Sequence, residues 1–171
     1  MSQTNFQKIR EFHQAFGLAD HDEHQPEALN NEKLVELRLN LIAEEFQELK
    51  DAIRDRNFAE VRDAIGDILY VVYGAAASFG INADSDYAEI HESNMSKLCE
   101  TEDLAQRTVE DYKRKYEAKQ SPYDSPAYRL SDNGKYYVVY NQSSGKILKS
   151  INYRPVDFTN ESPSQTSSVT E

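Results

Sequence analysis

Residues 40–53 read NLIAEEFQELKDAI and residues 60–74 read EVRDAIGDILYVVYG. Neither segment contains a proline. In the first, apolar residues recur at three- and four-residue spacing, and the stripe Leu34, Leu37 and Leu41 continues through Glu45 and Glu48 to Ala52. A long helix is predicted over 31–56, with Asn31 as N-cap and Glu32 in the first turn. Carboxylates thereby fall on a face expected to point inward. The second segment predicts a helix over 58–80 whose inner part is nearly all apolar, with Asp67 as the exception. Burying an ionised carboxylate costs several kcal/mol unless a cation compensates it, so the placement points to a metal site.

Working outward, Phe6, Ile9, Phe12, His13 and Phe16 predict an amphipathic helix over 4–16 that stops at Gly17. Residues 18–30 are polar, include Pro26 and read as a loop; its His21 and His24 lack ligand-spaced companions and are expected to be solvated. Further helices are predicted over 85–99 and 102–119. Gly74 to Ala77 are small enough to admit a second helix closely, at the centre of a bundle or at a subunit interface. After SPYDSP, residues 121–126, the runs KYYVVYN and KILKSINY flank QSSG and predict a β-hairpin. The expected fold is all-α, an antiparallel four- to five-helix bundle with a small C-terminal β-hairpin. The expected domains are an all-α domain over 1–120, a hairpin extension over 121–154 and a disordered Ser/Thr-rich tail over 155–171.

The 171 residues suit one domain with appendages. Acidic residues outnumber basic ones 30 to 19, and the resulting net charge of −11 repels a polyphosphate polymer, which argues against nucleic acid as partner. One cysteine, Cys99, permits neither an internal disulfide nor a cysteine-based zinc site and fits a reducing compartment, so a cytoplasmic location is expected. The N-terminal stretch shows no signal peptide, and the longest apolar run, Ile68 to Ala77, is far short of a bilayer span, so no membrane partner is expected.

Glu45 and Glu48 share one helix face by spacing, and so do Asp63 and Asp67. Two such pairs on adjacent antiparallel helices would converge. Oxygen-only ligands select hard cations, Mg²⁺ or Mn²⁺, and these commonly share their shell with substrate phosphates. Phosphoryl chemistry is therefore expected, with Glu44 or Glu45 taking the proton of an attacking water. A di-iron carboxylate bundle would need Glu-x-x-His on two helices, which the chain does not offer. The bland alternative is a set of carboxylates on solvated helix surfaces.

AEEFQEL at 43–49, DAIGDILYVVYG at 63–74 and HESNMSK at 91–97 together resemble the all-α nucleoside triphosphate pyrophosphohydrolases, the MazG and phosphoribosyl-ATP pyrophosphohydrolase-like group, over residues 31–116. The resemblance implies a dimeric or tetrameric four-helix core that binds Mg²⁺ and cleaves a nucleoside triphosphate between its α and β phosphates, releasing pyrophosphate. Its E-E-x-x-E pattern is matched by Glu44, Glu45 and Glu48. Its E-x-x-D pattern places the aspartate on Asp67 and the glutamate on Ala64, so Asp63 is the expected substitute; a literal E-x-x-D also exists as Glu60 and Asp63. The resemblance further implies that Asn94 and Lys97 contact substrate phosphates. Tyr70 and Tyr73 could stack on a base or pack in the core, and His91 is read as structural. A second class of reading is a catalytically silent binding or assembly module of the same fold, with the altered second motif marking lost chemistry.

Overall fold

The structure, a computed structural model, describes residues 2–159. It contains α1 (Asn5–Phe16), α2 (Glu32–Arg54), α3 (Phe58–Ser78), α4 (Ala83–Met95), α5 (Glu102–Glu117), β1 (Pro126–Leu130) and β2 (Tyr137–Asn141). The fold is all-α with a small C-terminal hairpin, as the sequence implies. No single helix among the described residues is long and apolar enough to cross a membrane.

Local chemistry sets the helix ends. Thr4 and Gln7 form a reciprocal capping box at the start of α1, and Gly17, at φ 65°, supplies the left-handed residue that ends it. Asn31 accepts from the Leu34 amide at 3.2 Å to start α2. Asn57 accepts from the amides of Ala59 and Glu60 to start α3, and Thr101 accepts from the Leu104 amide to start α5. Only Asp55, Arg56 and Asn57 separate α2 from α3, so the two helices fold back on each other as a hairpin.

The contacts divide the chain into two compact units, 1–88 and 89–171, with the boundary inside α4. The sequence places a boundary near residue 120 instead; the difference arises because α5 packs on the β-strands rather than on the helices before it.

In the first unit α3 packs against both α1 and α2. Phe6, Ile9 and Ala77 form its buried apolar cluster, with Tyr73, Ala76 and Ala83 against it. Of the small residues anticipated for close approach, Gly74 and Ala77 are buried and Ala75 and Ala76 are half-buried; Ala64 and Ser78 are the other buried residues of α3. The large ones turn away. Leu69 is 52% exposed and Ile65 48%, so α3 is not covered on most sides within one chain, contrary to the expectation from its apolar sequence. The segment 18–31 is a loop closed by a 3₁₀ turn at Pro26–Asn30 and is held to the end of α3 by His21 N–H to Ala77 O (3.2 Å) and Gln25 N–H to Phe79 O (2.9 Å).

In the second unit Cys99, Ala105, Val109, Val139 and Leu148 form the core, ringed by Leu104, Tyr112, Tyr123, Tyr128 and Tyr137. The hairpin differs from the expected one. KYYVVYN supplies β2, but its ladder partner is β1, paired antiparallel from Pro126 with Asn141 to Leu130 with Tyr137. The run KILKSINY contributes one bridge, Ile147 with Tyr140, and two backbone bonds with β2, Leu148 N–H to Val139 O and Asn141 N–H to Lys146 O. Its alternation is weak, so burial of Leu148 and Ser150 positions it more than a ladder does. Cys99, expected at the end of a helix, bridges Tyr137 instead. Residues 155–159 carry no helix or strand, and the remainder of the expected tail lies outside the described residues.

Candidate carboxylate site

Glu44, Glu45 and Glu48 stand on the middle turns of α2, and Asp63 and Asp67 stand on the first half of α3. Glu45 is half-buried, while the other four are exposed. The sequence places these carboxylates on an inward face; the structure leaves four of the five exposed, two on each of the paired helices α2 and α3.

The five groups nevertheless sense one another. The Glu45 carboxyl is raised above the ordinary carboxylate range, first by desolvation and then by repulsion from Glu48, Asp67, Glu44 and Asp63. Two helices thus direct their negative charge at one spot, and the nearby cations are bound elsewhere: Lys50 donates to Gln47 at 3.0 Å, and Arg54 bridges Asp51 and Asp55. Among the described residues no three His, Cys, Asp or Glu side chains stand close enough together to hold an ion. Like charges repel and splay, and a hard cation is the species that would draw these oxygens inward. The donor set is chemically suited to Mg²⁺ or Mn²⁺, and Asn40, Ala43, Glu44, Gln47 and Glu48 line a shallow concavity beside it.

Asp67 and Asp63 are the α3 groups that repel Glu45. Glu60 lies in the first turn, exposed, with its backbone amide capped by Asn57. Ala64 is 3% exposed and faces the seam, whereas Asp63 beside it faces outward.

The linkage gives a testable sign. A carboxyl whose pKa is raised on folding stabilises the native state when protonated, and that contribution is lost as pH rises through the raised value. Removal of the Glu45 charge by Glu45→Gln is therefore expected to lift the melting temperature of metal-free protein at neutral pH and to leave it unchanged at acidic pH. The depressed carboxyls of Asp20 and Asp111 lose their contributions only on further acidification. A melting series over pH for both proteins checks this; parallel curves would show that Glu45 is not under electrostatic strain.

Tyr70 lies one turn beyond Asp67 on α3, 44% exposed, with its ring edge-on to Phe12 at 5.5 Å between centroids. Asn94 and Lys97 belong to the second unit. They were expected to share one helix face, but α4 ends at Met95 and a turn brings the Lys97 ammonium to the Asn94 side-chain oxygen at 2.5 Å.

Sequence reasoning passed over one group in the first unit. Arg38 on α2 is 6% exposed, no carboxylate pairs with it, and its Nε is a buried side-chain polar atom without a hydrogen-bond partner. The signal was present: Arg38 interrupts the stripe Leu34, Leu37, Leu41 one turn after Leu34 and two turns before Glu45. Beside it is His13, 2% exposed, whose Nδ1 donates to Ala19 O at 2.7 Å.

A family model described as phosphoribosyl-ATP pyrophosphohydrolase matches residues 9–94, half of the chain, from α1 through the carboxylates to Asn94. A relative described as "Uncharacterized protein L479", from Acanthamoeba polyphaga mimivirus, is 30% identical, with the alignment covering 91% of this chain and 94% of the relative. The paired acidic helices fit this match: the chain belongs to the phosphoribosyl-ATP pyrophosphohydrolase family, in the MazG-like all-α NTP pyrophosphohydrolase superfamily, and carries a pyrophosphohydrolase-type fold.

Proposed function

We propose that the protein is a Mg²⁺-dependent nucleotide pyrophosphohydrolase that cleaves an NTP or dNTP between its α and β phosphates to NMP and pyrophosphate. The observation that carries this reading is the repulsion that four carboxylates from α2 and α3, Glu44, Glu48, Asp63 and Asp67, exert on Glu45, without a basic residue paired to them among the described residues. Glu45, Glu48, Asp63 and Asp67 would hold Mg²⁺, with Mn²⁺ as a substitute. When bound, the ion supplies charge for the phosphates and acidifies a water. Glu44 or Glu45 takes the proton of the water that attacks the α phosphorus, and the pyrophosphate oxygen leaves with the bond electrons. The raised pKa of Glu45 suits a proton acceptor better than an ordinary carboxylate would. The family resemblance assigns Asn94 and Lys97 to the substrate phosphates, Lys97 through its ammonium, and Tyr70 is assigned to the substrate.

The exposed apolar side chains of α2 and α3, Phe46, Ile65 and Leu69 among them, support assembly as a homodimer or homotetramer. The reduced, buried Cys99 suits the cytoplasm.

A second reading keeps the fold and loses the chemistry. Ala64, where the family's pattern has a glutamate, favours a silent binding or assembly module. Calorimetric titration with Mg²⁺ in the presence of a non-hydrolysable nucleotide separates the two: the enzyme reading expects saturable ion binding that requires Glu48 and Asp67. A flat trace favours the module.

A further inference from the structure

The segment that follows β2 folds back onto the last turn of α4. Lys149 N–H donates to the Tyr112 hydroxyl at 3.2 Å, Ser150 N–H to Lys97 O at 3.2 Å, and Arg154 N–H to Ser96 Oγ at 2.9 Å. Ser150 is buried, so the turn between these bonds has little freedom. This closure brings Lys149 and Tyr153 to Asn94 and Lys97. The Lys149 ammonium stands over the Tyr153 ring, 4.2 Å from its centroid, and the Lys97 ammonium is held by the Asn94 side-chain oxygen. The Ser93 hydroxyl donates to the Tyr153 hydroxyl at 3.2 Å, which turns the phenolic proton toward another acceptor, and no described residue takes it.

The charges here are unusual for this chain. In a protein of net charge −11, Arg10, Arg54, Arg107, Arg114, Lys115 and Arg129 each pair with an aspartate. Among the described residues neither Lys97 nor Lys149 forms an ion pair with a carboxylate. Arg154 lies among carboxylates instead, lining a concavity with Glu89, Glu92 and Asp157 that none of Lys97, Lys149 and Tyr153 borders. The Ser93 bond, and then the Lys149 and Lys97 charges, hold the Tyr153 phenol below the ordinary tyrosine range, which makes it a stronger donor to an anion. Two ammonium groups, a phenolic O–H and the Asn94 side-chain N–H groups are all donors. Their complement is a ligand with several anionic oxygens and no donor of its own, which describes a phosphate chain.

Resting on the hydrolase reading above and its assignment of Asn94 and Lys97, we propose that Lys149 and Tyr153 complete one phosphate subsite with them, which holds the phosphate chain of the nucleotide. The family match ends at residue 94, so Lys149 and Tyr153 are contributed by the C-terminal segment beyond it.

The test measures binding, so it does not require turnover. Inorganic tripolyphosphate is titrated into the full chain by calorimetry in the absence of Mg²⁺, where the carboxylates of α2 and α3 repel the probe and binding reports on this subsite. The wild type is expected to bind it, and Lys149→Met to weaken binding at least about tenfold, the scale of one charge-assisted contact. Tyr153→Phe keeps the ring under Lys149 and removes only the hydroxyl; it should weaken binding at least about threefold. Lys135→Met, which removes an equal charge from the β1–β2 turn of the same unit, should bind as the wild type. Lys149 is exposed and Tyr153 half-buried, so each variant should melt within about 2 °C of the wild type, and Tyr153→Phe is read alone if Lys149→Met does not fold. No binding by the wild type, unchanged binding by either folded variant, or an equal loss in Lys135→Met would overturn the proposal. Where a nucleotide is cleaved, Lys149→Met should raise KM and leave kcat within about threefold; cleavage with an unchanged KM would overturn this subsite and leave the hydrolase standing. Tripolyphosphate binding that needs Lys149 and Tyr153, without pyrophosphate release from any nucleotide, would reject the hydrolase and leave the subsite standing.

Discussion

Glu45→Gln is expected to lower Mg²⁺-dependent pyrophosphate release by at least about 100-fold, the scale of losing a group that ligates or positions a catalytic metal. The substitution keeps the shape of the side chain and removes the one carboxyl on which Glu44, Glu48, Asp63 and Asp67 all act. Two consequences separate loss of chemistry from loss of fold. The metal-free variant should melt at or above the wild-type temperature at neutral pH, since the substitution relieves repulsion. The wild type should gain stability with Mg²⁺ by mass action on the native state, and the variant should not. Asp67→Asn is expected to behave alike, because Asp67 faces Glu45 across the seam. Retained turnover in both variants would remove these residues from the site.

A large effect on stability is expected at Gly80→Ala. Gly80 follows α3 at φ 69°, a conformation that costs an L-residue about 1–2 kcal/mol. A Cβ there would lie 1.8 Å from the backbone oxygen of Glu23 and 2.6 Å from its carbon. That segment cannot retreat freely, because His21 and Gln25 on either side donate to the Ala77 and Phe79 carbonyls. Strain and forced displacement together are expected to cost at least about 3 kcal/mol, read as a shift of the chemical denaturation midpoint without change in slope. Gly17→Ala makes the control. It shares a positive φ but has open space where its Cβ would go, so it should cost only the conformational part. Equal losses at the two glycines would show that the contact with Glu23 does not matter.

The helices were legible because their signals are local. Thr4, Asn31, Asn57 and Thr101 cap where polar N-cap residues announce a start, and Gly17 ends α1. The hairpin was legible only in part. KYYVVYN declares itself by its β-branched and aromatic residues, whereas PAYRL, its actual partner, has no alternation to read and is set by the Leu148–Val139 core beneath it. The burial of the site was misread for a related reason. A carboxylate on an apolar stripe looks buried in one dimension, yet the depth of a stripe depends on what covers it, and α3 meets α2 at small residues such as Gly74, beside Arg38, leaving four of the five carboxylates exposed. Arg38 escaped notice because a single charged residue in a helix is ordinary; only its missing counter-charge, which is a property of three dimensions, makes it stand out.

Product analysis tests the central claim most directly. Wild-type protein with Mg²⁺ is incubated with a panel of NTPs and dNTPs, and the phosphorus-containing products are resolved by ³¹P NMR. At least one nucleotide should yield NMP and pyrophosphate in equal amounts, with no NDP and no inorganic phosphate at early times. NDP with inorganic phosphate, or no turnover of any nucleotide, would contradict the claim that these carboxylates serve cleavage between the α and β phosphates.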